Sequence, residues 1–135
     1  MRVAIVASRF NEEISSQLLA RAKAQAEKLR VELQVESVPG ALEIPLALQW
    51  LAQTRRYDAL VAIGCVIRGE TYHFEVVCNE SARGVMDVAL EFGIPVGNGI
   101  LTTEDEAQAL ARLDKGAEAL AVAVEMAKLK DKVGS

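Results

Sequence analysis

Nine consecutive residues, Ala59-Leu60-Val61-Ala62-Ile63-Gly64-Cys65-Val66-Ile67, carry no charged or amide side chain and then give way at once to Arg68-Gly69-Glu70. A strand that apolar cannot leave one face in water, so this run predicts a central strand of a sheet covered on both sides. Weaker strand signals lie around it. Val3 to Ala7 is a second apolar run, Ile94 to Leu101 another, and Glu32 to Val38 alternates polar and apolar as a half-buried edge strand does, stopping at Pro39-Gly40.

Between these runs the period changes from two to about 3.6. Leu18, Ala22, Ala26 and Leu29 recur at spacings of three and four within Ile14 to Leu29, and Ala47, Leu48 and Leu51 mark a shorter helix. Val85, Val88, Ala89 and Phe92 line one face of a long helix that Gly93 closes. Thr103-Glu104-Asp105-Glu106 has the acidic start of a helix, followed by Ala107 to Leu113 and Ala117 to Leu129, with Lys128, Lys130 and Lys132 suited to the last C-terminus. Four rounds of strand and helix joined by right-handed crossovers predict an α/β protein: a three-layer α/β/α sandwich, flavodoxin-like, around a parallel sheet of about four strands.

With 135 residues, 51% hydrophobic and 25% charged, residues 1–135 are expected to form a single domain. Aromatic residues are only 4%, so the core must be built from Ala, Val, Leu and Ile. A net charge of −4 and a pI near 5.1 argue against a nucleic-acid partner. No apolar run reaches the roughly 18 residues of a membrane span. Met1 to Val6 lacks a small-residue cleavage site and reads as part of the first strand. Cys65 and Cys78 match no zinc or thioredoxin spacing, which suggests reduced thiols and a cytoplasmic protein. Asn79-Glu80-Ser81 fits a glycosylation sequon, but it falls within the long helix and is treated as chance.

Parallel α/β sheets bind ligands at the carboxyl ends of their strands, which here are Ser8 to Glu12, Val38 to Pro45, Cys65 to Phe74 and Gly97 to Glu104. In the first, Phe10 beside Asn11 could stack on and hydrogen-bond a planar heterocycle, but pattern alone favours a helix cap at Asn11 and a core-closing ring at Phe10. In the second, Pro39 and Pro45 stiffen the backbone around Glu43. Two readings stay open there: a fixed acceptor for a polyhydroxyl chain, or a carboxylate favouring a helix dipole. The third is the most informative. Gly69 permits close backbone approach to an anion at the start of the long helix, Thr71 adds a hydroxyl, and the chain's single histidine, His73, is placed for proton transfer. A lone histidine is more often structural, but this position beside an anion site favours chemistry. Arg112 and Lys115, three apart, suit either a phosphate clamp or a solvated helix end. GxGxxG, Walker, nucleophile-elbow and HExxH motifs are absent, which weighs against Rossmann redox chemistry, nucleotide hydrolysis and serine hydrolysis.

In order along the chain, Arg9-Phe10-Asn11, Val38 to Pro45, Gly64 to Phe74 and Gly99-Ile100-Leu101-Thr102-Thr103-Glu104 resemble the blocks of the lumazine synthase family over nearly the whole length. The resemblance implies a transferase of riboflavin biosynthesis that condenses 5-amino-6-(D-ribitylamino)uracil with 3,4-dihydroxy-2-butanone 4-phosphate, releasing 6,7-dimethyl-8-ribityllumazine, phosphate and water, with no metal or organic cofactor. It implies that Phe10 stacks on the pyrimidine and that Ala41, Leu42 and Glu43 meet the ribityl chain. The Val66-Ile67 backbone would bind the ring edge, with Asn11, Cys65 and Asn98 in the same pocket. Glu70, Thr71, Arg112 and Lys115 would hold phosphate, and His73 would transfer protons.

The family forms pentamers with Asn98, Arg112 and Lys115 reaching into a neighbour's site. It also extends to decamers, to a sixty-subunit shell of twelve pentamers, and to riboflavin synthase as a partner. Three features depart from its usual pattern. The extra first strand of many members is not seen ahead of Val3, Asn98 stands where many carry Phe, and the link from Arg112 to Lys115 is short. Archaeal-type riboflavin synthase, a lumazine- or flavin-binding carrier and a structural shell protein are the competing readings. The His73 and Thr102-Thr103-Glu104 blocks favour the synthase over the first. Thr71 and Arg112 favour it over the second, and polar groups at four strand ends favour it over the third.

Overall fold

The apolar nine-residue run is strand β3, Ala59–Ile67, and its first eight residues are buried. In the computed structural model, which describes residues 1–134, it follows β1 (Arg2–Ser8), α1 (Glu12–Lys28), β2 (Glu32–Val38) and α2 (Ile44–Gln53), with a 3-10 turn at Ala41–Glu43 before α2. After it come α3 (His73–Phe92), β4 (Val96–Thr103), a short α4 (Glu106–Leu110) and α5 (Lys115–Gly134). The sheet is parallel throughout in the order β2-β1-β3-β4, with Ile5 beside Val35 and Val61, and Ile63 beside Gly99.

Alternation along the strands divides the core into two layers. Val3, Ile5, Val61, Ile63 and Cys65 pack with Leu18 and Ala22 of α1 and Leu120 and Ala123 of α5. Ala4, Val6, Leu60, Ala62 and Val66 pack on the other face with Ile44 and Leu48 of α2 and Val85 and Val88 of α3. Each fully buried Ile or Leu contributes roughly 1.5–3 kcal/mol, and small residues let the layers approach closely enough to do without large aromatics. Gly93 ends α3 in the left-handed region at φ 59, where its N–H bonds back to Ala89. The result is the expected three-layer α/β/α sandwich.

The strand and helix limits shift near the C-terminus. β4 begins after Pro95, whose carbonyl accepts from Leu60, and runs on to Thr103 because Thr102 and Thr103 still pair with Val66 and Ile67. The helix expected over Ala107 to Leu113 ends at Leu110. Tight bonds from Arg112 N to Ala109 O and from Gly116 N to Leu113 O turn the chain directly into α5, which starts at Lys115 rather than Ala117. Strand order reverses at β1, because β2 lies on one side of it and β3 on the other. The loops after β1 and β3 therefore diverge to opposite faces, opening a crevice at the carboxyl edge of the sheet. No helix of the described residues is long and apolar enough to cross a membrane.

Candidate active site

A hollow of about 380 Å³ opens at that crevice, within the roughly 300–1,000 Å³ usual for small-molecule sites. Three loops build it. Arg9 N and Phe10 N donate to Val38 O and Pro39 O at 2.9 and 3.1 Å, so the chain leaving β1 is laced to the chain leaving β2. Asn11 adopts a left-handed backbone (φ 56), and its Nδ2 donates 2.9 Å to Cys65 O at the end of β3. This side chain does not cap α1. It ties the first strand-end loop to the third, and Phe10 is left 71% exposed at the rim instead of closing the core.

From the second loop come Pro39, Gly40, Ala41, Leu42 and Glu43. Glu43 sits at the N-cap position of α2 and lines the hollow as well, a position compatible with either of its two sequence readings. Pro45 follows in the first turn, where a missing N–H costs nothing. The third loop supplies Cys65, Val66, Ile67, Gly69, Thr71, His73, Phe74 and Val77. His73 is the first residue of α3; its backbone N lies 3.4 Å from Thr71 Oγ1, and its side chain is exposed. A Cβ built on Gly69 meets nothing within 4 Å, and its backbone is not in the left-handed region. Neither packing nor backbone conformation requires glycine at this position.

Phe10, Asn11, Ala41, Leu42, Glu43, Cys65, Val66, Ile67, Thr71 and His73 are thus brought together. Glu70, Asn98, Arg112 and Lys115 do not line this hollow. Arg112 and Lys115 share a separate cleft with Thr102, Thr103 and Glu118, and Arg112 Nη1 donates to Gln108 O at 2.8 Å. Asn98 is exposed on the edge strand β4, with its Oδ1 accepting from Ile100 N at 3.0 Å. Sequence reasoning had not assigned Phe74 and Val77 to the site. Both are apolar residues of an amphipathic helix, spaced three apart, which pattern alone gives to the core.

Cys65 contributes main chain rather than a nucleophile. Burial, with a smaller push from the Glu106 carboxylate, raises its thiol to about 11, so it stays protonated at neutral pH. Cys78 is raised too, chiefly by burial, but it is only partly covered. Iodoacetamide at neutral pH should therefore label Cys78 before Cys65 in the folded protein. Peptide mass spectrometry over time reads this directly, and rapid labelling of Cys65 would contradict the buried placement. No cluster of three or more His, Cys, Asp or Glu side chains suited to a metal ion occurs among the described residues.

A parallel sandwich that gathers an aromatic rim, a glycine turn and a histidine at a helix start around one hollow belongs to the class of α/β proteins whose small-molecule sites lie at the strand ends. Which family within that class follows from comparison. A sequence model of the 6,7-dimethyl-8-ribityllumazine synthase family matches residues 1–131. The 6,7-dimethyl-8-ribityllumazine synthase of Nitrosomonas europaea is 56% identical over 131 residues, covering 94% of this chain and 80% of that protein. The enzyme of the same name from Leptothrix cholodnii is 55% identical over 135 residues, 97% and 88% of the two chains, and that of an Azoarcus species is 51% identical over 133, 96% and 85%. The chain belongs to the 6,7-dimethyl-8-ribityllumazine synthase family.

Proposed function

We propose that the chain, as one domain, condenses 5-amino-6-(D-ribitylamino)uracil with 3,4-dihydroxy-2-butanone 4-phosphate to give 6,7-dimethyl-8-ribityllumazine, with release of phosphate and water. The observation that carries this reading is the convergence of Phe10, Glu43, the Gly69–Thr71 turn and His73 on one hollow. Phe10 stacks on the pyrimidine, and Asn11, tied to Cys65 O, lines the same pocket. Main-chain groups of Cys65, Val66 and Ile67 meet the ring edge, while Ala41, Leu42 and Glu43 meet the ribityl chain. The second substrate places its phosphate at the turn of Gly69, Glu70 and Thr71. His73 moves protons as the amine adds to the ketone, phosphate departs and the ring closes. Because the amine is already nucleophilic, most of the acceleration comes from orientation and from stabilising the leaving anion.

The hollow has no Lys or Arg among its lining residues, so a phosphate there lacks a cationic partner from its own chain. Arg112 and Lys115, in their separate cleft, suit delivery to the hollow of a second copy, with Asn98 of the adjoining edge strand. This supports a site shared between copies of the chain in a homo-oligomer, for which the family resemblance implies a pentamer. Trp50 and Leu90, 60% and 76% exposed on α2 and α3, are the kind of large apolar surface that a subunit contact would cover. Two free cysteines accord with a reducing, cytoplasmic setting.

Mixing purified protein with both substrates should raise lumazine absorbance and free phosphate together in equal amounts. Tight lumazine or riboflavin binding without product would favour a carrier instead. Arg112→Ala is expected to lower kcat/KM for the phosphate substrate by roughly thirty-fold or more, the cost of unpairing a charge contact across an interface. Co-expressing Arg112→Ala with His73→Ala chains in equal amounts should restore about a quarter of wild-type turnover, since random mixing leaves that share of shared sites intact. No recovery would place Arg112 and His73 of each working site on one chain. Gly69→Ala should fold normally yet raise KM for the phosphate substrate, because its methyl enters open ligand space.

A further inference from the structure

We propose that Arg68 is a positioning residue, clamping the first turn of α3 to the ends of β3 and β4 so that His73 and Phe74 hold their places in the hollow. Its backbone N donates 2.9 Å to Thr103 O, continuing the pairing of β3 with β4 one step past the strand. Its guanidinium then makes three further contacts. Nε donates to Glu104 Oε2 at 2.5 Å, Nη1 pairs with Glu75 in the first turn of α3, and Cζ lies over the Phe74 ring, 4.5 Å from its centre. Glu104 lies just beyond β4 and Glu75 two residues after His73, so one side chain spans three segments. The bond from Arg68 holds the Glu75 carboxyl below its ordinary range, so Glu75 is ionised at neutral pH.

A guanidinium, with five donors in a fixed fork, can serve two carboxylates at once while its carbon sits over a ring; an ammonium is a point charge on a flexible stem and does not hold all three together. Partly exposed ion pairs contribute little to global stability, so the role is local geometry. The same pairing excludes an alternative. With two carboxylates on it, Arg68 is compensated and does not act as the phosphate ligand, and it is not among the residues lining the hollow.

The catalytic part of this inference rests on the proposed condensation, and the structural part does not. Hydrogen–deuterium exchange of the full protein, followed by mass spectrometry, should show exchange in the 72–78 segment about ten-fold faster in Arg68→Met, with β1 unchanged, as local opening without global unfolding. Arg68→Lys should recover only part of the protection. In turnover assays Arg68→Met should lose about a hundred-fold in kcat, the scale of an ångström misplacement, while KM for the pyrimidine stays close to wild type. Unchanged exchange in Arg68→Met, or full rescue by lysine, overturns the clamp. Faster exchange with wild-type kcat overturns its role in catalysis. Faster exchange in Arg68→Met, together with a wild-type protein that makes no lumazine, leaves the clamp standing and removes the reaction instead.

Discussion

Replacing His73 with alanine is expected to lower kcat by roughly a hundred- to ten-thousand-fold, the range for loss of a positioned general acid or base, while leaving measurable turnover. The residual activity has a physical source. The hollow formed by the loops after β1, β2 and β3 does not depend on the His73 side chain, and the hydrogen bonds that shape it run through Arg9, Phe10 and Asn11. A protein that still brings the amine and the ketone together keeps the orientational part of its acceleration. KM for each substrate should therefore move little, since a proton-transfer group acts in the transition state more than in binding. Steady-state kinetics of His73→Ala with both substrates varied reads this split. Turnover within a few-fold of wild type would remove the role, and a large rise in KM with kcat intact would make His73 a binding group.

His73 could be singled out because the sequence around it carries several signals at once: an apolar strand, a glycine turn, a hydroxyl and the only imidazole. Asn11 was only half legible. Its place at a helix start could be read, but the destination of its amide, Cys65 O, is 54 residues away and depends on β1 and β3 being neighbours. The Arg68 contacts were hidden for the same reason, since Glu75 and Glu104 lie seven and 36 positions along the chain. The separation of Arg112 and Lys115 from the hollow is a different case. Their place in a different cleft depends on how the turn between α4 and α5 packs beside β4, which local spacing does not encode.

The strands were the most legible part of the fold. A run buried on both faces has few alternatives, and β2 and β3 begin and end where the apolar pattern does. The turn between α4 and α5 was less so. Ala107, Ala109, Ala111 and Ala117 suit either helix or turn, and the choice is made by the Asp105 side chain accepting from Gln108 N at 2.8 Å and by tight bonds around Leu113. Sequence alone also does not reveal how near α5 comes to the sheet. That depends on residues with no side chain, whose role is to leave space.

Gly97→Val is expected to produce the largest loss of stability of any single change considered. A Cβ at Gly97 would stand 2.0 Å from the Ala119 carbonyl oxygen and 2.8 Å from its carbon, both backbone atoms of α5. Side chains can rotate away from a clash, whereas a helix backbone has to move as a body. α5 cannot retreat freely toward α1 either, because on that side a Cβ at Gly116 would meet Leu18 O at 2.1 Å. Overpacking usually costs about 1–3 kcal/mol, and a clash with main chain on a branched side chain belongs at or above the top of that range. Against a total of roughly 5–15 kcal/mol, this brings the fold near its limit. Urea unfolding should show a much lower midpoint at unchanged slope for Gly97→Val, with Gly97→Ala intermediate. Gly69→Ala, whose Cβ meets nothing within 4 Å, is the internal control and should unfold like wild type. The same displacement reaches the chemistry: α5 begins at Lys115, so a helix pushed off β4 carries that ammonium and the neighbouring Arg112 with it. Gly97→Ala should accordingly lose kcat/KM for the phosphate substrate even under conditions where it is fully folded. A Gly97→Ala protein with wild-type stability and wild-type kinetics would mean that α5 has room to shift and that its contact with β4 does not set the position of the cations.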